Sequence, residues 1–334
     1  MTLKVAIVGL GNIGNTHGRV YSELDNVEIV AVCDIIEERS DIAAEKFGCQ
    51  GFYSVQAMLD SNVEFDAVSV TTAGVENGGD HYEPTMQLLR AGYPVLGEKP
   101  ISNDVSKAAE MVALAKEKNI RYGVNLNHRF TPAAVLAREW LDSGRLGEVN
   151  TIDMTMWINN PNESSPHFHM RALHPHSFDV MRYFAKSKVA KVHAFFKKGK
   201  DRTIWSNVQV NLLYENGIIG HLRGSYDGNF GAAGTYGLET LDVVGSEGRV
   251  FLRDACEELI FYPRFNKDIE RHENYGGMTH FGQTFKSRIT RWVEQNIAEV
   301  APEDIDASGQ DALDVQLIIE AAIESWDTGK VIDL

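Results

Sequence analysis

Gly9-Leu10-Gly11-Asn12-Ile13-Gly14 is a G-x-G-x-x-G run between a short apolar segment, Leu3 to Val8, and a stretch able to form a helix. In that setting Gly9 permits a tight turn, Gly11 lets the backbone approach a pyrophosphate, and Gly14 lets helix and strand pack closely. The free N–H groups at the helix start, over Asn12 and Ile13, and the helix dipole favour an anion there. Asp34 falls 20 residues after Gly14, at the end of the second expected strand. A carboxylate at that point accepts both ribose hydroxyls of an adenosine and repels a 2′-phosphate. The spacing selects a dinucleotide, and NAD over NADP. A plain tight turn and a helix-capping aspartate are the structural alternatives. Arg39, one helical turn past Asp34, either stacks near the adenine or is solvated.

Two further groups can move protons or hold a developing charge. Lys99 follows the expected strand Tyr93 to Gly97 and precedes Pro100, which stiffens its backbone; ligands of α/β sheets bind at such strand ends. The run Pro166-His167-Phe168-His169-Met170-Arg171-Ala172-Leu173-His174-Pro175-His176 is rich in imidazoles, which shuttle protons near neutral pH. Asp179, three residues beyond His176, shares its helical face and either orients the ring or caps the helix. Imidazoles are also zinc and iron ligands. No cysteine and no H-E-x-x-H accompanies these, so no metal is expected.

Positioning such groups takes a framework. Strands are expected at 3–8, 27–33, 65–70, 93–97 and 121–125, with helices at 12–23, 36–47, 82–90 and 103–118 between them. Alternation of this kind implies a parallel sheet with helices on both faces. Beyond about residue 145 the pattern changes. Ile152, Met154, Met156 and Ile158 alternate, as do Val208, Val210, Leu212 and Tyr214. Glu215-Asn216-Gly217 and Gly245-Ser246-Glu247-Gly248 mark hairpins. The expected fold class is α/β: an N-terminal Rossmann sheet, then an α/β domain with a mostly antiparallel open sheet and a last helix over 309–328. The domains are placed at 1–125 and 126–334, with a soft boundary. At 334 residues the chain exceeds one ordinary core.

A formal net charge of −15 argues against nucleic acid and anionic membrane surfaces as partners. No segment offers the roughly 18 apolar residues of a membrane helix. The N-terminal apolar run is too short for a signal peptide and reads as a buried strand. Cys33, Cys49 and Cys256 are few and scattered, which fits a reducing cytoplasm.

The sequence resembles the glucose–fructose oxidoreductase / inositol dehydrogenase family (Gfo/Idh/MocA) over nearly its whole length. The likeness rests on Gly9 to Gly14 with His17 beyond, Gly97-Glu98-Lys99-Pro100, Gly123-Val124-Asn125-Leu126-Asn127-His128-Arg129-Phe130, Gly144-Arg145-Leu146-Gly147-Glu148-Val149, His176-Ser177-Phe178-Asp179, and Ala307-Ser308-Gly309-Gln310-Asp311-Ala312-Leu313. The resemblance implies reversible hydride transfer between NAD and a carbinol carbon of a small sugar, cyclitol or polyol. It implies Lys99 at the reacting hydroxyl and His176 as the proton carrier. It adds Ile35, Thr71, Thr72, His81, Glu98, Lys99 and Asn125 to the cofactor set. His128, Trp157, Asn159, His174 and Tyr236 then become candidates for the substrate pocket, since indole and phenol faces suit sugar C–H faces. A homodimer or homotetramer is expected, joined through the open face of the second sheet.

The chain departs from the family pattern twice. Many members carry an aspartate four residues before the histidine, where this chain has Ala172. His174, Asp179 or a substrate group is left to compensate, or His176 acts alone. A polar, glycine-containing loop, residues 71–80, also replaces a short turn before His81. A non-catalytic NAD-binding regulator, an imine or biliverdin reductase and an aldose oxidoreductase are the rival readings.

Overall fold

The computed structural model describes residues 2–228, 237–254, 257–278 and 282–334. The first half alternates β1 (Leu3–Val8), α1 (Asn12–Ser22), β2 (Val27–Cys33), α2 (Glu37–Phe47), β3 (Gln50–Phe52), α3 (Val55–Leu59), β4 (Ala67–Val70), α4 (Tyr82–Ala91), β5 (Val95–Gly97), α5 (Val105–Glu117) and β6 (Tyr122–Val124). The six strands form one parallel sheet in the order β3-β2-β1-β4-β5-β6. The strand order switches sides between β1 and β4, so their C-terminal ends flank the crevice where open α/β sheets take ligands. Every residue of β4 and β5 is buried, as expected of strands covered on both faces. Gly48 and Gly92 end α2 and α4 in the left-handed conformation.

The remainder comprises α6 (Pro132–Asp142), β7 (Val149–Ile158), α7 (Phe168–Ala185), β8 (Val189–Lys197), β9 (Asn207–Tyr214), β10 (Ile219–Ser225), β11 (Gly237–Gly245), β12 (Gly248–Arg253), β13 (Glu258–Pro263), β14 (Glu270–Glu273), α8 (Gly282–Ile297), α9 (Gly309–Thr328) and β15 (Ile332–Asp333). Nine strands make a sheet in the order β14-β13-β12-β11-β7-β10-β9-β8-β15, antiparallel except for the β7–β10 pair. Ile152, Met154 and Met156 of β7 and Val208, Val210, Leu212 and Tyr214 of β9 are buried on one face, beneath α7. The other face leaves Phe195, Leu213 and Ile219 exposed.

The chain divides into two compact units, Met1–Leu126 with Phe285–Gln316, and Asn127–Thr284 with Leu317–Leu334. A single boundary near residue 125 does not express the return of residues 285–316 to the first unit. Their anchor is polar as well as apolar. The fully buried Arg288 donates from Nε to the Val124 carbonyl at 3.1 Å, beside the buried Trp292. A Cβ on Gly123 would stand 2.5 Å from the Arg288 guanidinium, so the glycine makes room for this contact.

Candidate functional site

In the first unit the residues singled out from sequence gather just past the C-terminal ends of β1, β2, β4, β5 and β6. Gly9 takes φ +92°, and a Cβ there would meet the Thr72 nitrogen at 2.5 Å. A Cβ on Gly14 would fall 1.9 Å from the Gly9 carbonyl oxygen, so helix and loop touch backbone to backbone. Gly11 differs: nothing lies within 4 Å of its Cβ position. It caps α1 without a side-chain bond, and Asn12 and Ile13 are exposed. The first-turn N–H groups therefore face open space, an anion cradle by construction. Asp34 is buried and accepts from Leu10 N at 2.7 Å and Ile36 N at 2.9 Å, one bond to each oxygen. It braces the glycine loop and keeps acceptor capacity on both oxygens for a diol. Ile35 and Arg39 are exposed beside it. Thr71 is committed to the loop, donating to the Gly9 carbonyl at 2.6 Å.

Glu98 is the centre of a buried polar network that residue spacing does not announce. Its Oε1 accepts from His17 Nε2 at 3.0 Å and from Asn125 Nδ2 at 2.5 Å, and Oε2 accepts from Lys99 N at 3.3 Å. A carboxylate only accepts, so His17 carries its proton on Nε2 and takes one on Nδ1 from Ser69 Oγ at 3.1 Å. Tyr21 donates to Ser69 at 2.7 Å, its phenol pushed up to about 12 by burial. Burial would raise the Glu98 pKa, but the His17 hydrogen bond, the Lys99 charge and Asn125 together hold it below the usual range. Burial lowers the pKa of half-buried Lys99, and the Glu98 carboxylate opposes that shift.

The loop between β4 and α4 closes on itself. Thr72 Oγ1 donates to the Asp80 carbonyl at 2.8 Å and must therefore accept from His81 Nδ1 at 3.0 Å. His81 is thus an Nδ1–H tautomer with Nε2 as a bare acceptor. Burial lowers its pKa to about 4, and Nε2 has no hydrogen-bond partner. The Asn125 Oδ1 is likewise without one. Two buried acceptors, one at the start of α4 and one just past β6, suit the hydroxyl and amide donors of a nicotinamide nucleoside.

In the second unit, α7 carries His176 and Asp179 on one face. Arg129, from the turn at Asn127–Phe130, clasps the Asp179 carboxylate with two nitrogens, Nε at 2.7 Å from Oδ2 and the second on Oδ1. That pairing gives Asp179 a structural task in joining turn to helix. The His128 ring stacks on His176 with centroids 4.4 Å apart, and Glu239 of β11 accepts from His128 Nδ1 at 3.0 Å. Trp157 and Asn159 lie at and just past the C-terminal end of β7, Trp157 half-buried and Asn159 exposed. Tyr236 lies outside the described residues.

His174 is not pocket-facing, contrary to expectation. It is fully buried against the sheet, and a Cβ on Gly224 would stand 2.2 Å from its Nε2. His169 Nδ1 donates to the Trp205 carbonyl at 3.3 Å, so its Nε2 accepts from His174 Nε2 at 3.0 Å. Ser177 completes the chain at His174 Nδ1, 3.0 Å away. Two of the run's four imidazoles, His169 and His174, are thus a packed hydrogen-bonded pair. Among the described residues no group of three or more His, Cys, Asp or Glu is placed to hold a metal.

This pair has a consequence for stability. Burial lowers His169 to about 3 and His174 well below the ordinary 6.5. Both are neutral when folded but protonate near 6.5 when unfolded. Their contribution is complete above that pH and is lost as pH falls toward the folded values. Between pH 7.5 and 5.5 the pair is expected to lose about 3 kcal/mol of stability, about 1.4 kcal/mol from each histidine, almost all of it below pH 6.5. Urea titrations at the two pH values measure this, and equal stabilities would contradict the buried pair.

Comparison with known proteins agrees with both halves. Residues 3–126 match the model for an oxidoreductase family with an NAD-binding Rossmann fold, and residues 135–251 match the GFO/IDH/MocA C-terminal domain. The chain is 24% identical to an inositol 2-dehydrogenase of Rhizobium meliloti (strain 1021), covering 97% of each chain. A levoglucosan dehydrogenase solved with NADH and levoglucosan superposes with TM-score 0.85 at 20% identity, over 100% of this chain and 99% of that one. An oxidoreductase from Agrobacterium radiobacter, solved with NAD+, L-tartaric acid and magnesium, gives TM-score 0.85 at 20% identity, over 100% and 98%. Among the described residues no helix is long and apolar enough to cross a membrane.

Proposed function

This chain belongs to the Gfo/Idh/MocA family of NAD-binding oxidoreductases, and on that premise we propose that it is a dehydrogenase of a small sugar, cyclitol or related polyol. The first unit holds the dinucleotide and the second selects the substrate. The observation that carries this reading is the set of polar groups past the C-terminal ends of one parallel sheet. It comprises an uncapped helix start at Gly11, a diol-accepting Asp34, two buried bare acceptors at His81 and Asn125, and a lysine backed by Glu98. When bound, the nicotinamide supplies a hydride acceptor for the carbinol carbon. Lys99 holds the reacting hydroxyl and stabilises negative charge on its oxygen. His176 takes the hydroxyl proton. Glu98 fixes the Lys99 backbone and its charge, and Asp179 positions α7 through Arg129. Relatives named for inositol and levoglucosan define the first compounds to try. A screen of polyols and sugars with NAD, read as NADH absorbance, tests the assignment. No turnover on any member, with NAD bound, would favour the regulator reading.

NAD is expected to bind more tightly than NADP by at least about tenfold, about 1.4 kcal/mol, because a 2′-phosphate would meet the Asp34 carboxylate. Intrinsic fluorescence titration of both cofactors measures the ratio, and equal affinities would remove Asp34 from the ribose.

The exposed Phe195, Leu213 and Ile219 on the open face of the second sheet suit a homodimer or homotetramer. Light scattering at micromolar concentration is expected to give an oligomer, and a monomer alone would exclude it. The free thiols of Cys33 and Cys49 suit a reducing cytoplasm.

A further inference from the structure

Glu239 occupies an unusual place for a carboxylate. It alternates along β11 with Leu241 and Val243, which are 3% and 0% exposed, so it stands on the core-facing side of the strand. A charge at such a position is costly unless paired. Its pair is His128, whose Nδ1 lies 3.0 Å from one carboxylate oxygen and 2.9 Å from the other. Because a carboxylate only accepts, the ring must carry its proton on Nδ1, leaving Nε2 as the acceptor in the neutral form. That ring lies against His176, with centroids 4.4 Å apart and planes inclined by 40°. Glu239, His128, Thr131 and Val180 of α7 line one small cavity, so strand, turn and helix meet at this point.

We propose that Glu239 is a positioning residue for the proton-accepting centre: through His128 it fixes the plane of His176 and offsets the positive charge that His176 gains. The proposal rests on the reading of His176 as the proton acceptor. In the step concerned, the substrate O–H bond breaks, its electron pair stays on oxygen, and the proton forms an N–H bond on His176. The imidazolium so formed is then neighbour to a ring hydrogen-bonded to a carboxylate, an arrangement that stabilises a cation more than a lone imidazole does. Among the described residues the same elements carry other polar and charged groups. Arg129 and Asp179 neutralise each other on the turn and on α7. His174 is held by His169 and Ser177. Asp254, just past the end of β12 and opposite Glu239, accepts from the Glu239 backbone N–H at 3.4 Å and is raised to about 6 by burial and by its hydrogen bond with Glu257. Because it touches the Glu239 backbone, it is the control.

The test uses imidazole nitrogen NMR of the whole protein without ligands, His176 being assigned by its loss in His176→Gln. In the wild type His128 is expected as the Nδ1–H tautomer. Glu239→Gln keeps the size and an accepting oxygen but removes the charge. It is expected to move the His176 titration midpoint down by about one pH unit, the lower end for loss of a nearby opposite charge. Asp254→Asn is expected to leave that midpoint in place. An unmoved midpoint in Glu239→Gln, an Nε2–H tautomer of His128 in the wild type, or a midpoint that follows Asp254→Asn instead each overturns the proposal. Failure of the base assignment is seen separately, as retained turnover in His176→Ala.

Discussion

Lys99→Ala is expected to lower kcat by about three orders of magnitude while leaving NAD affinity within a few-fold of wild type. The size follows from what one preorganised charge contributes at an oxygen that gains negative charge, about 10²–10³ in rate. The upper end is expected because burial and the Glu98 carboxylate both act on the ammonium before substrate arrives. Lys99 is half-buried, and its backbone N–H is tied to the Glu98 carboxylate. Glu98 is in turn held by His17 and Asn125. Little reorganisation remains when charge develops. NAD affinity should survive because the cradle at Gly11 and the carboxylate of Asp34 do not involve the lysine side chain. Steady-state kinetics on a confirmed substrate, paired with fluorescence titration of NAD, reads both quantities. A kcat within a few-fold of wild type would give Lys99 another task. Loss of both together would mean that the substitution disturbs Glu98 and the loop.

The parts of this molecule that local chemistry dictates are legible in the residues. β1 and α9 run over the expected limits, 3–8 and 309–328, because an apolar run stopped by glycine and a long amphipathic segment leave little choice. The glycine spacing, with an acid at the end of β2, carries its mechanism in short-range geometry. What stays hidden depends on distant contacts or conflicting local signals. Nothing in residues 285–316 announces that Arg288 returns to the Val124 carbonyl. The helix α7 runs through Pro175, a residue that local rules treat as a stop, so the imidazole run does not read as helix. Burial then turns His174 toward the sheet. Two omissions do have a signal. His17 and Tyr21 lie four apart on the buried face of α1, polar groups where apolar ones are usual. Glu239 alternates with Leu241 and Val243 on the inward side of an expected strand. A polar residue on the apolar period of its element is a site candidate on residue pattern alone, because burying it there is costly unless it is paired or used.

His176→Ala is expected to lower the rate of alcohol oxidation by about 10²–10³, the size of a general-base contribution. In the wild type, kcat/KM for oxidation should fall on the acid side as the ring becomes protonated, because a protonated ring cannot accept the hydroxyl proton. The alanine variant should lose that limb together with the rate. His176 is buried, stacked on His128 and four residues after Ala172. Position 172 therefore supplies no carboxylate to raise the pKa of the ring. Ala172→Asp, which adds one on the preceding helical turn, should shift the limb to higher pH, since a nearby negative charge favours the imidazolium. The sign of that shift separates an electrostatic partner from a packing effect. Crowding or burial of the ring would disfavour the cation and move the limb down. A pH profile unchanged in both variants would assign the proton to another acceptor, with Lys99 or a bound water next in line.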